Sequence, residues 1–132
     1  MTEKVNHPIH YNTHPSGVEA IEIIEHMNFC LGNAFKYLFR YRLKGGHEDI
    51  NKAIWYLERQ LTNPEIPPSN VPKEIQAKID LFLSSEKNKY LKPVYENIIS
   101  YQFHGFHPKS IWESIELLHH LEDEAKAAAN HE

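Results

Sequence analysis

Cations and aromatic rings recur at helical spacing within positions 29–61. Six polar residues, here called the polar stripe, follow one another at intervals that place them on one side of an α-helix; they are Asn33, Lys36, Tyr37, Arg40, Tyr41 and Lys44. Arg40 suits bidentate phosphate binding, lysines add point charges, and a tyrosine can stack on a base. The pattern therefore predicts a site for a phosphorylated ligand with an aromatic ring. The alternative is a solvated helix face whose cations pair with nearby acids.

A second group of candidate residues lies in the His- and Pro-rich segment 1–17. We expect this segment to form an irregular arm that folds over the polar stripe and brings His7, His10 and Tyr11 to the ligand. Histidine can contact an anion, transfer a proton near neutral pH or bind a metal. Zinc requires three or four ligands at workable spacing, which this arm does not offer, so no metal site is predicted. The alternative is that the histidines cap helix ends or form hydrogen bonds with backbone carbonyls.

Acidic residues form two groups, Glu19, Glu22 and Glu25 and then Glu48 with Asp49. They partly resemble the paired acidic motifs with which all-α nucleotide pyrophosphatases hold magnesium. The second pair is adjacent, which separates its carboxylates by about 100° around a helix, so capping of a helix start explains it better. A phosphate-binding loop of the type Gly-x-x-x-x-Gly-Lys-Ser/Thr is missing, which excludes a P-loop kinase.

Apolar residues recur at i, i+3, i+4, i+7 and i+8 through the same region, which predicts the buried face of a helix; they are Leu31, Ala34, Phe35, Leu38 and Phe39. The whole chain indicates an all-α compact bundle of about six helices, at 18–27, 31–44, 48–61, 73–85, 91–103 and from 108. We expect Ser16 to cap the first helix, Ile21 to face inward, Trp112 to lie on or near an apolar face, and the tail 122–132 to fray.

The proline-rich connector 62–72 predicts the main boundary of the chain. It separates a unit at 1–61, consisting of the arm and three helices, from a C-terminal helical elaboration at 73–132 that packs on it.

Composition is that of an ordinary globular protein, with 41% hydrophobic and 24% charged residues and a net charge of -4. That balance favours neither a nucleic-acid nor a membrane partner. The single cysteine, Cys30, excludes an intrachain disulfide framework. Without a signal peptide or an apolar run of about 18 residues, a cytoplasmic protein is expected.

The first half of the chain resembles a small phage-borne helical family of unknown function, DUF3310 or SaV-like, often labelled phage nucleotide kinase. There are four matching segments, and the resemblance covers about residues 4–61. They are Val5-Asn6-His7-Pro8-Ile9-His10-Tyr11, Val18-Glu19 with Ile21 and Ile23-Ile24, Leu31-Gly32-Asn33-Ala34-Phe35-Lys36-Tyr37-Leu38 with Arg40, and Lys44-Gly45-Gly46 with Glu48-Asp49-Ile50 and Lys52-Ala53-Ile54-Trp55-Tyr56-Leu57. It implies a phage or prophage origin and nucleotide handling. It also adds Asp49 to the candidate ligand-binding residues.

Two functions from different classes follow. In the first, a homo-oligomer captures a nucleotide or a nucleotide-derived ligand, such as an immune signal of the host, without turnover, catalytic residue or cofactor. In the second, the same pocket serves a nucleoside monophosphate kinase that uses ATP and Mg²⁺, in which His7 or Asp49 assists transfer. A third option is a helical module whose polar stripe binds another protein.

Overall fold

The computed structural model describes residues 14–44, 46–62, 70–105 and 107–130, with the side chains of Lys44, Ala129 and Asn130 excepted. These residues form six helices and no strand, which confirms the predicted all-α class. The helices are α1 (Ala20–Ile24), α2 (Phe29–Lys44), α3 (His47–Thr62), α4 (Lys73–Ser85), α5 (Leu91–Phe103) and α6 (Pro108–Asn130). None of these helices is both long enough and apolar enough to cross a membrane.

Helices α2 and α3 run antiparallel because only two residues separate them, and they share the most extensive contact in the fold. All five residues predicted for the buried face of α2 are fully enclosed. Helix α6 packs on α3 and α5, while α4 contacts α1 and α5. One continuous apolar core therefore includes residues of every helix.

The first helix is shorter than predicted. Gly17 adopts a left-handed φ of 76°, and the helix begins only at Ala20, after Glu19. The backbone N–H of Glu19 donates to the Glu22 carboxylate at 2.8 Å, which forms one half of a capping box. Ser16, predicted as the cap, instead accepts a hydrogen bond from the Val18 N–H and contacts His14.

Two further predictions about the helices are wrong. The side chain of Ile21 is 56% exposed because α1 has only five residues and buries only Ala20 and Ile23. Trp112 is 60% exposed and lies beside the buried Ile111, near the apolar face as predicted. The tail remains helical to Asn130, since alanine has the highest helix propensity and Ala125 packs on the core.

The connector residues 63–69 lie outside the described residues, so the division into two units stays a prediction.

Candidate functional site

The ring of Tyr37 is the point at which cations from two helices meet. Lys36 Nζ on α2 lies 4.7 Å from the centre of this ring, and Lys52 Nζ on α3 lies 5.3 Å from it. Tyr56 stacks on the ring, with 5.9 Å between centroids and 13° between planes. We call these four residues the Tyr37 cluster. It forms because α2 and α3 pack as antiparallel neighbours, which brings Lys36 and Tyr37 of α2 against Lys52 and Tyr56 of α3.

Neither lysine of this cluster has a carboxylate within ion-pair distance among the residues the structure describes. A cation over an aromatic face gains about 0.5–1 kcal/mol at an exposed site, which orients the ammonium group without neutralising it. Two ammonium groups thus lie about 5 Å from the centre of one ring and keep their capacity to bind an anion.

Arg40 differs from the two lysines because it is already paired. Its Nε lies 3.5 Å from Asp49 Oδ1, and the Asp49 side chain is only 10% exposed whereas that of Arg40 is 38% exposed. Asp49 was predicted to contact the ligand or to cap α3. In the structure its carboxylate holds the guanidinium of Arg40, which reduces the attraction of Arg40 for a phosphate.

Two shallow cavities flank the Tyr37 cluster. A recess of about 180 Å³ lies between α1 and α2 and is lined by Ile24, Phe29, Gly32, Asn33 and Lys36, among others. A cleft of about 240 Å³ lies at the α2–α3 turn and is lined by Arg40, Asp49 and Lys52, among others. Lys36 belongs to the recess and Lys52 to the cleft, so the Tyr37 ring connects the two.

Asn33 occupies the predicted place beside Lys36 in the recess. Its amide nitrogen donates to the Phe29 carbonyl at 2.8 Å, and its side-chain oxygen has no hydrogen-bond partner among residues 14–44, 46–62, 70–105 and 107–130. This oxygen is therefore an acceptor that a ligand can use.

Tyr41 is separated from the other polar-stripe residues. It lines a different cavity of about 540 Å³ together with Arg42, Glu86, Lys87 and Leu91. Burial raises the pKa of its hydroxyl, and the Glu124 carboxylate adds to the effect. Tyr41 lies beside Arg42, whose side chain binds Glu86, and it therefore lies near the α4–α5 junction.

The polar groups around this larger cavity satisfy one another. Glu86 Oε1 accepts from His14 Nε2 at 3.2 Å and from Arg42 Nε at 3.3 Å, while Glu86 Oε2 accepts from the Asn88 N–H at 3.1 Å. The Asn88 side chain in turn accepts from the N–H groups of Tyr90 and Leu91. We conclude that this cluster ties the start of the described chain to the α4–α5 junction.

Burial alone raises the pKa of the Glu86 carboxyl, but the hydrogen bonds from His14 and Asn88 and the charge of Arg42 outweigh it, so the pKa lies below its usual value. Glu86 therefore remains ionised inside the protein. The His14 ring is also stacked on Phe82 at 4.2 Å, which fixes its orientation.

Several predicted site residues remain untested. His7, His10 and Tyr11 lie outside the described residues, as does the Lys44 side chain. Within the described part, no group of three or more His, Cys, Asp or Glu residues is arranged to hold a metal ion.

The sequence reasoning missed Lys52, Tyr56 and Phe29. The first two follow Asp49 at i+3 and i+7 on α3, and this helical spacing is the signal in the sequence that identifies them. Phe29 opens α2 and is 67% exposed, a feature that spacing does not reveal.

Residues 5–58 match the DUF3310 family. The description of DUF3310 is a protein of unknown function, and the matched part is less than half of the chain. No significant similarity to a curated protein or to a solved structure was found.

The DUF3310 segment includes α1, α2 and most of α3, and hence all four residues of the Tyr37 cluster. The predicted resemblance is confirmed for this segment. Four of the six residues that line the Glu86 cavity lie outside this segment.

Proposed function

We propose that the protein captures a nucleotide or a nucleotide-derived anion at the Tyr37 cluster and does not convert it. The observation that carries the proposal is the convergence of Lys36 and Lys52 on one aromatic ring without a carboxylate partner in the described chain. A phosphate group between the two ammonium groups would neutralise both charges. Arg40 adds a third cation at the edge of the cleft, weakened by Asp49.

The chemistry of these residues is that of binding. Lysine and arginine supply fixed positive charge, and tyrosine supplies a face for stacking. As a phage-type protein in a host cytoplasm, it would lower the free concentration of a nucleotide signal by binding it. Assembly into a homo-oligomer, as predicted from the sequence, remains part of this proposal.

The proposal is tested by recovery of the bound molecule. Purified protein is incubated with nucleoside monophosphates, cyclic nucleotides and ADP-ribose, separated from unbound compound, denatured, and the released compound is identified by mass spectrometry. We expect one class to be retained and released unchanged.

A parallel incubation contains ATP and Mg²⁺ with each monophosphate. Formation of a nucleoside diphosphate at a rate proportional to protein concentration would contradict capture without turnover and support the kinase alternative. Retention of no compound at all would contradict the nucleotide site itself.

A further inference from the structure

The recess between α1 and α2 lies directly beside the cation pair of the Tyr37 cluster. Lys36 belongs to both, because it lines the recess and its Nζ lies over the Tyr37 ring. Gly32 precedes Lys36 by one helical turn, about 6 Å along the axis at 1.5 Å per residue. A ligand whose anionic group binds Lys36 and Lys52 can therefore place an adjacent part of the same molecule in the recess.

The recess is mainly apolar, since Ile24, Met27 and Phe29 contribute side chains to its wall. Phe29 is 67% exposed although a phenyl ring is large and apolar, and its only ring contact among the described aromatic residues is an edge contact with Tyr56 at 6.0 Å. One face of Phe29 is thus available for stacking.

Gly32 allows the α1 region to approach α2 closely beside the recess. A Cβ at this position would lie 3.3 Å from Ile24 Cγ2 and 3.6 Å from Met27 Cβ, and both residues belong to the wall. Glycine in the middle of a helix costs roughly 0.5–1 kcal/mol relative to alanine, and at Gly32 the missing Cβ permits this close packing.

The size of the recess limits its occupant. Its volume of about 180 Å³ is below the roughly 300–1,000 Å³ typical of a pocket for a whole drug-sized ligand. It suits a single flat ring system. The Asn33 side-chain oxygen at its rim can accept a hydrogen bond from a ring N–H or an exocyclic amino group.

We propose that the recess formed by Ile24, Phe29, Gly32 and Asn33 is the subsite for the base of a nucleoside monophosphate whose phosphate lies between Lys36 and Lys52. This inference rests on the proposed function and extends it by naming the class of ligand. The base contacts Phe29 by stacking and Asn33 by a hydrogen bond, and the sugar spans the turn of α2 between Gly32 and Lys36.

The experiment compares ligands with and without a base. Isothermal titration calorimetry measures the affinities of AMP, dTMP and ribose 5-phosphate for the wild-type protein and for Phe29→Ala. We expect the wild-type protein to bind at least one of the two nucleotides about tenfold or more tightly than ribose 5-phosphate, because stacking on an aromatic side chain is worth about that much. Phe29→Ala is expected to abolish this preference and to leave the affinity for ribose 5-phosphate unchanged.

Leu81→Ala provides the matched control, since Leu81 is an exposed apolar residue on α4, distant in sequence from the recess. It should retain the preference for a nucleotide. Equal binding of all three compounds by the wild-type protein, or a preference that survives Phe29→Ala, would overturn the base subsite while leaving the phosphate site in place. Binding of none of the three compounds would overturn both.

Discussion

At the scale of single residues, the structure changes which cations are available to a ligand. Arg40 was the predicted phosphate ligand, but the nearly buried carboxylate of Asp49 holds it. Lys36 and Lys52 rest on the Tyr37 ring instead. A cation–π contact leaves the charge of the ammonium group in place, whereas an ion pair offsets it, so we expect the lysines to be the stronger anion ligands.

Replacing Asp49 distinguishes a role as the partner of Arg40 from a role as a ligand contact. Asp49→Asn removes a negative charge beside the site and releases Arg40, so we expect AMP to bind about threefold or more tightly. If Asp49 itself contacts the ligand or assists its chemistry, the same variant binds more weakly. Calorimetric titration of AMP measures the difference.

Glu58→Gln is the control for this variant, because it removes one carboxylate from an exposed position of the same helix. Its affinity for AMP should remain within twofold of the wild-type value, since salt screens an exposed charge beyond about 10 Å.

At the scale of elements, Asn28 determines where α2 begins and therefore where the recess lies. Its side-chain oxygen accepts from the Leu31 N–H at 2.9 Å, which is the geometry of a helix N-cap. Its amide nitrogen donates to Gln60 Oε1 on α3, and its backbone N–H donates to Gln102 Oε1 on α5. One residue thus joins three helices next to Phe29.

We predict that Asn28→Ala destabilises the protein by about 1–3 kcal/mol, because a cap and an interhelical hydrogen bond are lost together. The free energy of unfolding in urea, followed by circular dichroism, measures this loss. Asn51→Ala, on the exposed side of α3, is the control and should not lower stability. Equal stability of the two variants would show that Asn28 does not hold the helices together.

Glu86 connects elements in the same way at the other side of the bundle. Because its folded-state pKa lies below the ordinary value of 4.5, ionised Glu86 stabilises the fold above that pH. This stabilisation is lost as the pH falls below 4.5 through the lower folded-state pKa. The predicted signature is a free energy of unfolding that decreases on acidification.

Glu86→Gln removes this source of pH dependence. At pH 7 the variant should be less stable by about 1–3 kcal/mol, because His14 and Arg42 lose a charged acceptor. Below pH 4 the difference from the wild-type protein should shrink. Urea unfolding at pH 7 and at pH 3.5 measures both values, and a difference that is constant with pH would contradict the role given to the carboxylate.

At the scale of the whole molecule, periodicity predicts the class and the buried faces well. The residues predicted for the core of α2 are buried because an apolar stripe along one side of a helix leaves water only by packing against other helices. Ile21 and the start of α1 could not be predicted, since the left-handed Gly17 precedes a shorter helix.

The candidate site was only partly predictable. Spacing within α2 places Asn33, Lys36 and Tyr37 together, and the structure agrees. The contribution of Lys52 and Tyr56 depends on the register between α2 and α3, which the sequence of one helix does not contain. The pairing of Arg40 with Asp49 depends on the same register.

The exposed tryptophans Trp55 and Trp112, on two helices that pack together, fit the prediction of a homo-oligomer. Sedimentation equilibrium at micromolar concentration should give a mass of at least twice 15.5 kDa. A mass of 15.5 kDa across that range would contradict the prediction.

The central claim is that Lys36 and Lys52 together bind the phosphate of a nucleotide. Calorimetric titration of AMP into Lys36→Ala, Lys52→Ala and Lys109→Ala tests it most directly, because Lys109 is an exposed lysine on α6. We predict that each of the first two variants binds AMP at least about tenfold more weakly, since a charged hydrogen bond contributes about 1.5–3 kcal/mol, and that Lys109→Ala binds as the wild-type protein does. Equal affinity of all three variants would contradict the account.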